Sequence, residues 1–199
     1  MARIFKILIQ PYYDYACQVW SPCDYGSIDL LEGITRFWSR KVPTLAREHW
    51  WDRLKLMNLS SIQRRMERYL CIYMWKILDL QADNPCNIQA VWGHKGRLVE
   101  LPPLPKSTLG RRLWEQSFVV RAGKAYNSLP KYIRNHVGGE VNDFKKILNS
   151  YLRLIPDNPR DVGTGSYPAP TDIVKNTRSN SIIHWRVHLE REFPNFDWY

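Results

Sequence analysis

The side chains of this chain best suited to chemistry are arginines, and the chemistry is phosphate binding. Arg36 and Arg40 stand one turn apart in a helical pattern, and Arg64, Arg65 and Arg68 cluster at the start of another. A guanidinium offers bidentate hydrogen bonds to phosphate oxygens, and two helices with basic ends can line a groove that tracks a backbone. A second basic set comprises Arg111, Arg112, Arg121, Lys124, Lys145 and Lys146. Trp50 and Trp51 are adjacent, so on a helix one turns inward more easily and the other is the better platform for a stacked base. Trp38 falls on an apolar face and is expected in the core. The same arginines would do nothing of the kind as solvated faces or intramolecular ion pairs.

Other chemistries have thinner support. His184, His188 and Glu192 follow one another at helical turns, an acceptable metal-ligand spacing. The zinc-protease helix needs Glu directly after the first His, however, and Trp185 is there. Cys71, Cys86 and His94 lack any paired Cys-x-x-Cys spacing. No Gly-rich phosphate loop is present, and no Ser/His/Asp or Cys/His nucleophile can be nominated. No metal and no cofactor is therefore expected.

Charge agrees with a polyanionic partner. The 199 residues carry a net charge of +10, unevenly spread. Between Ile34 and Lys76 ten Lys/Arg stand against three Asp/Glu, and from Lys106 to Arg153 the count is the same. Such blocks favour RNA or DNA, although a basic surface also serves solubility. Nine Trp and eleven Tyr fit either stacked bases or a core rich in rings. Hydrophobic residues at 44% argue against wholesale disorder. The four cysteines are widely spaced, the apolar run Ile4–Ile9 is too short for a signal peptide, and no stretch approaches a membrane span. The expectation is an intracellular protein, nuclear or cytoplasmic, with free thiols and no membrane partner.

Helices must position these groups. Ile28, Leu31, Ile34, Phe37, Trp38 and Val42 recur at spacings of three and four, which predicts one buried helix face ended by Pro43. Trp51–Leu56 reads as a short helix, and Ser60 with Gln63 as a capping box opening a longer one. That helix runs from Ile62 to Leu80 with Met66, Tyr69, Leu70, Tyr73, Ile77 and Leu80 on one face. Beyond Leu70 it is apolar on several sides, which predicts a central position. Residues Ala82–Pro105 read as a proline-rich connector with one short extended piece at most. A helix over Trp114–Ser128 is predicted to turn Phe118, Ala122, Ala125, Tyr126 and Leu129 inward. Another over Asp143–Leu154 is built on Phe144, Ile147, Leu148, Tyr151 and Leu152. After Pro156 the composition predicts a flexible tail with one short helix, Ile182–Glu192. The expected fold is all-α: a helical bundle with parts at 1–80 and 106–155, a connector at 81–105 and a loose tail at 156–199.

Four blocks carry a family resemblance. Tyr15-Ala16-x-x-Val19-Trp20-Ser21-Pro22 resembles the Tyr-x-x-x-x-Trp-Ser-Pro element that follows the catalytic core in jockey-like, LINE-type (non-LTR) retrotransposon reverse transcriptases. Leu30-Leu31-Glu32-x-x-x-Arg36 is similar to the helix after it, and Arg53-Leu54-Lys55-x-x-x-Leu59 to the next. Tyr126-Asn127-Ser128-Leu129-Pro130, then Phe144-Lys145-Lys146, resembles an element near that family's C-terminal end. The agreement in order and spacing covers roughly Ile4 to Leu154.

The resemblance implies the thumb and post-palm region of an RNA-directed DNA polymerase, gripping RNA template and cDNA during target-primed reverse transcription. It does not imply an enzyme. The family's Tyr-x-Asp-Asp palm turn and its endonuclease domain are both missing, and Asp14 has no acidic neighbour before Asp24. A polymerase needs carboxylates close enough to hold two metal ions about 4 Å apart. Two other readings stay open: a helical protein-interaction domain, or a non-functional remnant of a truncated element.

Overall fold

The computed structural model describes residues 2–22, 24–155, 157 and 181–183. The fold is largely helical, and its one sheet among the described residues has two strands. Two compact units divide the chain: Met1–Met66 with Pro156–Ser181, and Glu67–Ile155 with Ile182–Tyr199. The predicted helix Ile182–Glu192, with His184 and His188, lies outside the described residues apart from its first two positions, as does most of the predicted tail.

The first unit opens with short helical pieces: α1 (Ala2–Ile4), a π-helical Phe5–Ile9, α2 (Gln10–Asp14) and α3 (Cys17–Trp20). Tyr15 is extended and Ala16 is left-handed at φ 47°, which separates α2 from α3. The Trp20 indole donates back to the Tyr15 carbonyl at 2.5 Å, so the Tyr-x-x-x-x-Trp spacing closes a local loop.

Helix α4 (Tyr25–Arg40) starts at Asp24, whose carboxylate accepts from the Ser27 amide at 2.8 Å. Its buried face differs from the predicted one. Ile28 is buried, but the next buried positions are Glu32, Thr35 and Ser39, while Ile34 and Phe37 are 50% and 65% exposed. Polar obligations outweigh the apolar stripe here. Glu32 Oε1 accepts from the Ile62 amide at 2.7 Å, and burial followed by the Glu32 charge raises the pKa of the Tyr13 phenol. Leu31 and Trp38 pack against Phe5, Tyr13, Ile62 and Met66, the apolar cluster of this unit. Pro43–Leu45 is a 3-10 turn, and α5 (Trp50–Leu56) follows.

Helix α6 (Ile62–Leu78) begins one residue later than the predicted capping box. Ser61, not Ser60, is the cap: its hydroxyl accepts from the Arg64 amide at 3.2 Å and donates to Asp157 at 2.6 Å. The Ser61 amide donates to the other oxygen of Asp157 at 2.7 Å. Ile62 and Met66 belong to the first unit's cluster; Leu70, Cys71, Ile72, Met74, Trp75 and Ile77 enter the second unit's core. The predicted central position of this helix fits that burial. Leu80, expected inward, is 88% exposed at a left-handed φ of 57°, because α6 stops at Leu78.

In the second unit the predicted connector folds into a hairpin. Strands β1 (Ala90–Gly93) and β2 (Gly96–Val99) pair antiparallel with Trp92 opposite Arg97. Gly96 sits at φ 78°, where a Cβ would meet the Asn135 side chain. The helix predicted over Trp114–Ser128 is two helices, α7 (Thr108–Gln116) and α8 (Phe118–Asn127), because Ser117 is extended and bonds the Trp114 carbonyl through its hydroxyl at 2.7 Å. A short α9 (Lys131–Arg134) and α10 (Val141–Leu152) complete the unit. Ala122, Ala125, Tyr126, Leu129, Phe144, Leu148, Tyr151 and Leu152 are buried as predicted. Trp75 stacks on Phe144 at 4.9 Å between ring centres.

Two buried arginines tie the hairpin to the helices. Arg97 donates to Asp79 at 2.5 Å and to the Leu78 carbonyl at 2.6 Å. Asp79 also accepts from the Gly138 amide at 2.8 Å. Arg134 donates to the carbonyls of Leu129 at 2.8 Å and Arg97 at 3.0 Å. Removing one member of a buried pair strands the other charge, so Asp79→Ala is expected to cost about 3–5 kcal/mol; urea unfolding followed by circular dichroism measures it. Tyr126, whose hydroxyl donates to the Arg134 carbonyl at 2.9 Å, should lose about 1 kcal/mol as Tyr126→Phe in the same experiment.

Candidate nucleic-acid interface

The predicted arginines divide by burial. Arg64 is only 4% exposed, and its Nε lies 3.7 Å from Asp157. Arg65 forms an ion pair with Asp14, both side chains 19% exposed. Arg68 donates to the Asn149 side chain at 2.6 Å, with its guanidinium over the Tyr69 ring. Helical spacing puts these three charges together, and tertiary partners then use them: each works within its own unit. They are not carried forward as surface groups.

On α4, Arg36 is half-buried and pairs with Asp29 two turns earlier. Arg40 is exposed and makes no ion pair among the described residues. Lys41 is exposed with its ammonium 4.9 Å from the Phe37 ring centre, and Arg47 is exposed. These three, with Lys55, are exposed cations of the first unit's middle stretch.

In the second unit Arg111 and Arg112 are exposed on α7, and Arg111 donates to the Pro105 carbonyl at 3.2 Å. Arg121 is half-buried on α8. Lys124 sits 4.9 Å from the Trp114 ring centre, and the Trp114 indole donates to the Pro102 carbonyl at 2.9 Å. On α10 Lys145 is half-buried and Lys146 is exposed. Lys146 bonds Asp143 at 2.8 Å; that bond pulls the Asp143 carboxyl down and the Lys146 ammonium up from their ordinary values.

The stacking assignment needs a correction. Trp50 is 8% exposed, with the guanidiniums of Arg36 and Arg53 5.9 and 5.8 Å from its ring centre. Burial removes it as a base platform. Trp51 is half-buried, its ring 6.0 Å from that of Trp50. Trp38 is half-buried as well, packed on Phe5 at 4.7 Å.

Two residues outside the predicted set stand out. Arg53 is 3% exposed, and burial together with the Arg40 charge lowers its pKa. The signal in sequence was the Trp50-x-x-Arg53 spacing, three residues apart on one helix face. Trp92 on β1 is 58% exposed with the Arg97 guanidinium 5.9 Å from its ring centre; short strands in a connector gave no periodicity from which to find it.

Among the described residues no group of three or more His, Cys, Asp and Glu side chains could hold a metal ion. Cys71 is fully buried, and burial followed by the Glu67 charge raises its thiol pKa, so it is a poor nucleophile. No helix of the described residues is long and apolar enough to cross a membrane.

The division between inner and outer arginines is measurable. Arg64→Ala is expected to lower stability by about 1–3 kcal/mol, since it leaves buried partners unsatisfied. Arg40→Ala and Arg112→Ala should stay within about 0.5 kcal/mol of the parent, as exposed substitutions do. Thermal denaturation of the three variants checks both.

Neither a family model, nor a curated protein, nor a solved structure matches this chain, and its side chains alone speak for what the surface does.

Proposed function

We propose that this chain is a nucleic-acid-binding, non-catalytic helical region of the kind that follows the palm in LINE-type reverse transcriptases. In this reading it is a two-part helical bundle with a proline-rich connector. It grips RNA template and cDNA through phosphates and carries no polymerase chemistry of its own. The observation that supports the reading best is the number of exposed cations outside the described ion pairs, among them Arg40, Lys41 and Arg47 in one unit and Arg111 and Arg112 in the other. Phosphate contacts of this sort give affinity and orientation with little base readout. Intracellular action fits a partner of that class.

A second reading is favoured by one specific feature. Leu30, Ile34 and Phe37 lie three and four residues apart on α4 and are 77%, 50% and 65% exposed. A bare apolar stripe of that kind suits a protein partner.

Salt separates the two. Neutralising about five phosphates on a single strand gives a log–log slope near −3.5, so affinity should fall about 100-fold between roughly 50 and 200 mM salt. Fluorescence anisotropy with a labelled single-stranded RNA measures it. Flat salt dependence, or no binding at low salt, would reject the nucleic-acid reading and leave the protein-interaction one.

A further inference from the structure

Among the described residues of the first unit, Arg53 is the one buried guanidinium with no ion pair to a carboxylate. Its Nη1 donates to the Glu48 carbonyl at 3.1 Å, and its Nε is buried without a partner. The acids nearest in sequence, Glu48 and Asp52, are exposed and form no ion pair with it. Arg64, comparably buried, has Asp157; Arg36, which also approaches the Trp50 ring, has Asp29. Taking a guanidinium out of water without a counter-charge is strongly unfavourable.

The surroundings add to the deficit. Arg36 and Arg53 reach the same ring of Trp50 from α4 and α5, and Arg40 follows Arg36 by one turn of α4, on the same face. Arg40 is exposed and makes no ion pair among the described residues. Its charge is felt at Arg53, whose pKa burial and Arg40 together lower. Trp50 is itself buried, and its ring packs against the Arg53 guanidinium. Two cations of one unit thus lie near each other, one buried and one exposed, with no ion pair for either among the described residues. An anion with several oxygens completes such a pair, because the guanidinium fork matches phosphate geometry.

We propose that Arg40 and Arg53, braced by Trp50, form a phosphate subsite that takes one phosphodiester of a bound nucleic-acid strand. The subsite rests on the nucleic-acid reading given above, and it makes Trp50 a positioning residue where base stacking was expected of it.

The full chain is titrated against labelled single-stranded RNA as wild type, Arg40→Ala and Arg53→Lys, with circular dichroism as a check on folding. Arg53→Lys keeps the charge and removes the fork, so diffuse attraction leaves it unchanged and a built subsite does not. Both variants are expected to bind about tenfold more weakly, and Arg40→Ala to lose about 0.7 from the log–log salt slope. In a second arm, inorganic phosphate at constant ionic strength should raise the Tm of wild type and not that of Arg40→Ala; equal protection of both overturns the subsite. If wild type binds the strand and both variants stay within about twofold of it, the subsite falls and the nucleic-acid reading stands. If wild type binds no strand at low salt, the functional reading falls and takes the subsite with it. Should Arg53→Lys unfold, the exposed Arg40→Ala decides alone.

Discussion

The first turn of α6 depends on two carboxylates from distant parts of the chain. Glu32 meets the Ile62 amide, and Asp157 meets the amide and hydroxyl of Ser61. Amides at a helix start have no partner within the helix, and a buried one left unmet is costly. A negative charge at this end also suits the helix dipole. Because α6 supplies Ile62 and Met66 to one core and Leu70 to Ile77 to the other, a frayed first turn would disturb the packing on which the candidate surface is carried. The same demand explains α4. Glu32 must be inside to reach Ile62, so the helix turns Thr35 and Ser39 inward and leaves Ile34 and Phe37 to solvent.

The motif residues read here as a family signature have structural work of their own. Asn127 accepts from the Val99 amide at 2.8 Å and donates to its carbonyl at 2.9 Å, pairing the hairpin edge as a neighbouring strand would. Tyr126 and Leu129 are buried, and the Ser128 hydroxyl bonds the Lys124 carbonyl. Gly123 lets α8 approach the hairpin, since a Cβ there would fall 2.5 Å from Leu101. Such residues are constrained by packing, whatever the surface binds. In the proposed reading, phosphate contact falls to exposed cations such as Arg40 and to the buried Arg53.

Much of the helical architecture was readable from spacing. Phe144, Leu148, Tyr151 and Leu152 in α10, and Ala122, Ala125 and Tyr126 in α8, stand where a period of 3.6 puts them. Periodicity erred where local hydrogen bonds competed with it. Ser117 breaks one predicted helix into two through a side-chain bond to Trp114, and the hairpin at 90–99 is too short to show alternation.

The sequence by itself determined the helical character, the residues of the second unit's core and the surplus of positive charge, because these depend on side-chain type and local spacing. Which arginines are spent inside and which remain outside was decided only by the tertiary structure. Arg64, Arg65 and Arg68 cluster in the sequence as phosphate ligands would, yet Asp157, Asp14 and Asn149 meet them. Those partners lie 51 to 93 residues away in the chain. Arg53 stands in the sequence only as part of a motif, and among the described residues of the first unit it is the buried cation without an ion pair. An ion pair is a property of two positions in space, and no local pattern records it.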